Sequence, residues 1–179
     1  MPKRKRKVVR PLPRPEFAAL VAGAREPWRT MMIVQHAFGL RPGEVCKLRA
    51  GDVDLDAGTL ITPRDGKTGE RLVAFDRDGH AAQALSAWLE VHGGEYVFGG
   101  DRPALVNSYR KALARYCDRL QSVRVKPYAL RHTYACELMD AGVPIATIAE
   151  ALGHASVSTT ARYYLHPNEE LLRRVNAGR

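Results

Sequence analysis

Hydrophobic residues fall in blocks whose spacing changes twice along the chain. The first blocks are helical: Phe17, Leu20 and Val21 within 16–23, then Met31, Val34, Ala37 and Phe38 within 27–39. Gly39 reads as a helix stop. Pro42 opens a short helix that turns Val45, Cys46 and Leu48 inward. From Val53 the period shortens. Residues 59–62 and 71–75 read as strands flanking a polar turn region, 63–70, that holds Gly66 and Gly69; the pair predicts a hairpin. Helical spacing then returns, with Asp78 as the expected cap of a helix running to about Val91 and Gly93-Gly94 ending it. Residues 96–98 read as one more short strand. Helices follow over 103–120, 130–139 and from Pro144 to Gly153, the last with Ile145, Ile148 and Leu152 on one face. A final amphipathic segment, 168–175, places Leu171, Leu172 and Val175 together. The fold class is therefore mainly α with a small antiparallel β-sheet (α+β).

Charge changes this picture from fold to partner. The 179-residue chain carries a formal net charge of +9, which points to nucleic acid, because Lys and Arg contacts to phosphate supply most non-specific affinity. Residues 1–15 are basic and proline-rich and read as an extended arm or linker that grips phosphate, resembles a nuclear-import signal or is simply solvated; the folded part is expected to begin near Pro15. Arg110, Lys111, Arg115 and Arg119 recur on one face of the 103–120 helix, suited equally to a DNA surface or to water. No apolar run is long enough to span a bilayer, and the basic N-terminus lacks the apolar stretch of a secretory signal. Cys46, Cys117 and Cys136 are odd in number and far apart, which argues against a disulfide framework or a zinc site and for reduced thiols in the cytosol.

Five stretches carry chemistry. Gly39-Leu40-Arg41-Pro42-Gly43-Glu44-Val45 comes first, ahead of Leu48 and Asp52-Val53-Asp54. Gly66-Lys67-Thr68-Gly69 lies in the hairpin turn. Tyr128-Ala129-Leu130-Arg131-His132-Thr133-Tyr134-Ala135, Leu152-Gly153-His154 and Ser158-Thr159-Thr160-Ala161-Arg162-Tyr163-Tyr164 complete the set. Arginine forks suit a phosphodiester that gains charge during attack, a phenol can attack phosphorus, and lysine can protonate a departing sugar oxygen.

Together these stretches resemble the tyrosine recombinases, also called the phage-integrase family, over roughly residue 16 to the C-terminus. The resemblance implies the family's catalytic-domain fold over 16–179, without the N-terminal helical core-binding domain of a typical member. It assigns Arg41 and Arg131 to the scissile phosphate, Lys67 as general acid for the 5′ oxygen, His154 as a phosphate hydrogen-bond donor and Tyr163 as nucleophile. Tyr164 is the competing phenol, and the spacing from His154 favours Tyr163. Glu44 would fix the local backbone and Arg41. One departure is present: the family usually has histidine three residues before the second arginine, and here Tyr128 stands there. A phenol can donate to phosphate but cannot carry imidazolium charge. His132 is no simple replacement, since adjacent helical residues point about 100° apart.

The implied activity is site-specific DNA recombination or integration through a 3′-phosphotyrosyl intermediate, with neither metal nor ATP. Two alternatives stand beside it: a catalytically impaired DNA-binding relative, and a type IB topoisomerase-like relaxing enzyme. The implied partners are double-stranded DNA and further copies of the chain, tetrameric on DNA and monomeric in isolation, with the C-terminal segment exchanged between subunits or folded back. The expected location is cytoplasmic and nucleoid-associated, with no membrane partner.

Overall fold

The computed structural model describes residues 10–63, 69–100, 103–154, 156–158 and 160. Seven α-helices are named among them: α1 (Arg14–Gly23), α2 (Trp28–Ala37), α3 (Pro42–Lys47), α4 (His80–Val91), α5 (Pro103–Arg119), α6 (Pro127–Asp140) and α7 (Ile145–Ala151). Between α3 and α4 lie a 3-10 turn, Ala50–Asp52, and three strands: β1 (Val53–Asp54), β2 (Thr59–Ile61) and β3 (Leu72–Ala74). The strands form one antiparallel sheet in the order β1-β2-β3, with Leu60 opposite Val73 and Ile61 opposite Leu72. Side chains alternate across it: Leu60 and Val73 are buried, while Ile61 and Leu72 face solvent.

Helix α2 is the centre of the molecule and packs mainly against α4 and α6. Met31, Met32 and Val34 are fully enclosed, and so is the polar Gln35. Burial of that amide is satisfied at every end. Its Nε2 donates to the carbonyls of Leu40 (3.2 Å) and Pro127 (3.0 Å), and its Oε1 accepts from the Tyr109 hydroxyl (2.7 Å). One side chain thus ties α2, α5 and the start of α6 together. Helix α5 buries Tyr109, Ala112, Leu113, Tyr116 and Cys117 and leaves its basic face, Arg110, Lys111, Arg115 and Arg119, exposed. A separate small cluster, Ala135, Ile148 and Leu152, fastens α7 to α6.

Several local features differ from expectation. The chain joins the core before Pro15: α1 starts at Arg14, Leu12 is buried, and the Leu12 N–H donates to Thr133 Oγ1 (2.8 Å). Asp78 does not cap α4. The preceding turn is held by Asp76, whose Oδ1 takes the Asp78 N–H (3.1 Å), and Gly79 becomes the N-cap without a side-chain hydrogen bond. Residues 96–98 contribute an isolated bridge between Arg49 and Tyr96 rather than a strand. Helix α6 begins at Pro127, three residues before the expected start, with the proline in its first turn. The 168–175 segment lies outside the described residues. No helix among the described residues is long and apolar enough to cross a membrane.

Candidate active site

Two helix ends and one short helix build the site. Helix α2 closes with paired backbone bonds, Gly39 N–H to His36 O (3.4 Å) and Leu40 N–H to Gln35 O (3.1 Å), with Gly39 at φ 60°. Helix α7 closes the same way: Gly153 N–H to Glu150 O (2.8 Å), His154 N–H to Ala149 O (2.9 Å), and Gly153 at φ 60°. Each turn needs glycine for its left-handed backbone, and close packing adds a second reason. A β-carbon on Gly39 would lie 2.4 Å from the Tyr134 ring, and one on Gly153 would lie 2.9 Å from Arg71 Cδ. The glycine turn after α7 is what projects His154.

Such a closure satisfies two carbonyls; among the described residues the next three, those of Ala151, Leu152 and Gly153, take no backbone partner. Three arginines from three elements take them. Arg71 Nε donates to Ala151 O (3.0 Å), Arg131 Nη2 donates to Leu152 O, and Arg41 Nη2 donates to Gly153 O (3.0 Å). The negative end of the α7 dipole favours cations at this place. The α2 end is gripped too: Gly39 O accepts from Arg131 Nη1 (2.6 Å) and Arg71 Nη2 (3.4 Å).

Among the described residues, a single carboxylate stands among the three guanidinium groups. Glu44 is fully buried. Its Oε1 accepts from Arg41 Nη1 (2.6 Å) and Arg71 Nη1 (2.5 Å), its Oε2 accepts the Arg41 backbone N–H (2.7 Å), and Arg131 Nη1 lies 3.7 Å from Oε2. The spacing follows from α3: Arg41 is its N-cap, Pro42 its first residue, and Glu44 reaches back one turn. Burial alone would raise the Glu44 pKa; the hydrogen bond and charge of Arg71, the Arg41 N–H and the charge of Arg131 outweigh it and hold the carboxyl below its ordinary range. Among the described residues the group holds three cations and one anion, a positive balance in a partly enclosed pocket. That pocket suits a phosphodiester, whose non-bridging oxygens accept from guanidinium donors.

His154 completes the group. Its Nδ1 lies 2.8 Å from Thr160 Oγ1. Desolvation first, and then the charges of Arg131, Arg41 and Arg71, push its pKa from 6.5 down to about 4. At neutral pH the ring is uncharged. When the Thr160 hydroxyl donates to Nδ1, the ring proton sits on Nε2, and the imidazole offers one neutral donor.

With this geometry in place, comparison with known proteins is direct. The model of the phage integrase family matches residues 15–170. The chain belongs to the phage integrase family. Among curated relatives it is similar to the tyrosine recombinase XerA of Thermococcus kodakarensis, 35% identical over 173 residues, covering 90% of this chain and 60% of that protein. The tyrosine recombinase XerC of Corynebacterium glutamicum is 32% identical over 150 residues, covering 79% of this chain and 47% of that one. The chain therefore spans roughly half of these relatives' length. Its fold matches the crystal structure of XerA recombinase with a TM-score of 0.75 at 24% identity, covering 94% of this chain and 65% of that one. It also matches the Tn1549 transposon integrase in complex with circular intermediate DNA, with a TM-score of 0.79 at 17% identity, covering 97% and 68%.

Of the residues the family resemblance singles out, Arg41, Glu44, Arg131 and His154 meet in one pocket. Lys67 and Tyr163 lie outside the described residues. Tyr128, one turn before Arg131 on α6, is 62% exposed, so its phenol is open to solvent. His132 turns along its own helix, with Nε2 3.6 Å from Cys136 Sγ. Arg71 and Thr160 were not singled out from sequence. The signal for Arg71 was strand alternation: it shares a face with buried Val73, while Leu72 between them is exposed.

Proposed function

We propose that this chain is the catalytic domain of a tyrosine-type site-specific DNA recombinase, cleaving and rejoining strands through a 3′-phosphotyrosyl intermediate. The observation that carries the reading is the meeting of Arg41, Arg131 and His154, drawn from three separate elements, around buried Glu44. The scissile phosphate occupies this pocket, its non-bridging oxygens accepting from donors of Arg41 and Arg131 and from His154. Charge that develops on those oxygens during attack meets donors already fixed by protein carbonyls and one carboxylate, so little reorganisation is needed. The Tyr163 hydroxyl attacks phosphorus and its proton passes to water. The bond from phosphorus to the 5′ oxygen breaks, and Lys67 protonates that oxygen as it leaves. A 5′-hydroxyl of a second strand then attacks the phosphotyrosine and frees the phenol. The phosphodiester's energy is kept in the covalent link, so the exchange runs without ATP.

The exposed basic face of α5, Arg110, Lys111 and Arg115, lies along the duplex backbone. The active assembly is a tetramer on double-stranded DNA, and its place in the cell is with the chromosome. A duplex nicked close to the cleavage point tests the reading, because the short cleaved strand diffuses away and strands the protein on DNA. The wild-type chain accumulates a covalent adduct, and Tyr163→Phe binds the duplex but forms none. Binding without an adduct on the true recombination site, by a chain with its full DNA-binding apparatus, would favour a DNA-binding module without turnover.

A further inference from the structure

We propose that Arg71 is a positioning residue of the active site: it locks the α7 C-terminal turn to Glu44 and so sets the place from which His154 meets the phosphate. The inference rests on the recombinase reading above. Arg71 stands immediately before β3, far in sequence from both partners, and only about a tenth of its side chain is exposed. Its fork spans three elements. Nε holds Ala151 O at the end of α7 (3.0 Å), Nη1 holds Glu44 Oε1 on α3 (2.5 Å), and Nη2 reaches Gly39 O at the end of α2 (3.4 Å). The stem is wedged as well, since Gly153 leaves no room for a β-carbon beside Arg71 Cδ. The residue after that glycine is His154.

All three bonds end on protein oxygens, and Arg71 commits Nε as well as both Nη atoms, whereas the bonds named above for Arg41 and Arg131 come from their Nη atoms. Each of its three nitrogens has a donor committed to protein, three of the five N–H groups in all, the Nε–H among them. The fork also explains why arginine stands here. A lysine ammonium preserves charge and carries three donors on one atom, but it lacks the planar fork that reaches Ala151 O and the Glu44 carboxylate from two separate nitrogens. Without the fork the α7 turn loses a tether to α3, and His154 drifts from the place set by Arg41, Arg131 and Thr160. A displacement of about 1 Å at a reacting centre costs on the order of a hundredfold in rate.

Among the described residues, the charged groups facing His154 are Arg41 at the N-cap of α3, Arg71 just before β3 and Arg131 from α6. Loss of one cation makes the imidazole easier to protonate, which provides a readout independent of turnover.

Arg71→Lys and Arg71→Gln are compared with the wild-type chain by two measurements. The first is the rate of covalent adduct formation on a nicked duplex alongside duplex Kd. Both variants slow adduct formation by roughly tenfold to a hundredfold, with Kd changed by less than about twofold, because Arg71 touches no DNA; the lysine does not rescue. The second is the NMR titration of the His154 ring in protein without DNA. Its midpoint moves upward in Arg71→Gln. Wild-type adduct rates in both variants, or an unmoved His154 midpoint in Arg71→Gln, overturn the proposal. If no adduct forms even on the true recombination site with the full DNA-binding apparatus, the recombinase reading fails, and the ring titration alone decides whether Arg71 controls His154. Should Arg71→Gln not fold, Arg71→Lys carries the test, and full adduct rate in that variant refutes it.

Discussion

Replacing Glu44 with glutamine is the sharpest test of how the pocket is held. The side chain keeps its size and one carbonyl oxygen, so the Arg41 backbone N–H can still find an acceptor. What disappears is the one anion that, among the described residues, Arg41, Arg71 and Arg131 share; their side chains are 13%, 10% and 6% exposed. Removing one partner from a buried ion pair costs about 3–5 kcal/mol, because the remaining charge stays buried and unpaired. Here three guanidinium groups are left together, so the upper half of that range applies. For a chain of this size each kcal/mol shifts Tm by roughly 2–4 °C, which predicts a fall of about 8–20 °C. Urea unfolding at pH 7 measures the free energy directly. The pH dependence supplies an independent check. In the folded protein Glu44 titrates below its ordinary value of 4.5, so its stabilisation is complete above that pH and is lost as pH falls through the folded value. The gap between wild type and Glu44→Gln therefore closes in acid. A loss under about 1 kcal/mol at pH 7, typical of exposed pairs, would refute the claim that one carboxylate organises the site.

Further outcomes follow from other parts of the structure. Gly39→Ala forces a left-handed backbone onto alanine and drives its β-carbon into the Tyr134 ring; thermal unfolding should show a loss of about 2 kcal/mol or more. Gln35→Leu strands the Tyr109 hydroxyl and the carbonyls of Leu40 and Pro127 in the core, and denaturant titration should report a loss of about 2–3 kcal/mol. His154 titrates near 4 in the free protein, and a bound phosphodiester, being anionic, raises that midpoint in an NMR titration with duplex; an unchanged midpoint would place the phosphate elsewhere. Lys111→Gln combined with Arg115→Gln should weaken duplex binding and lower the slope of log Kd against log salt by about two.

Punctuation made most of the fold legible before any coordinates. Gly39 and Gly153 end helices because only glycine suits the left-handed closing residue there, and Pro42 and Pro144 stand at helix starts. The pocket was legible through motifs whose residues are distant in sequence but meet in space. What stayed hidden has common physical causes. Arg71 and Gln35 are polar residues on inward faces, and hydropathy patterns assign such residues to solvent; only their long-range partners reveal the burial. Leu12 sits among prolines and basic residues, so a tail was expected, yet one apolar side chain and one hydrogen bond to Thr133 bring the segment into the core. Asp78 lost its capping role to a competing turn two residues earlier, a contest between neighbouring acidic side chains that composition does not resolve.

The central claim is that a phenol close behind His154 attacks a phosphate seated between Arg41 and Arg131. Peptide mapping of protein trapped on a nicked duplex tests it most directly. The account predicts one modified peptide with the nucleotide on Tyr163, and its loss when either arginine is replaced by alanine. A nucleotide on Tyr164 or on any residue other than Tyr163, or undiminished trapping without those arginines, would contradict it.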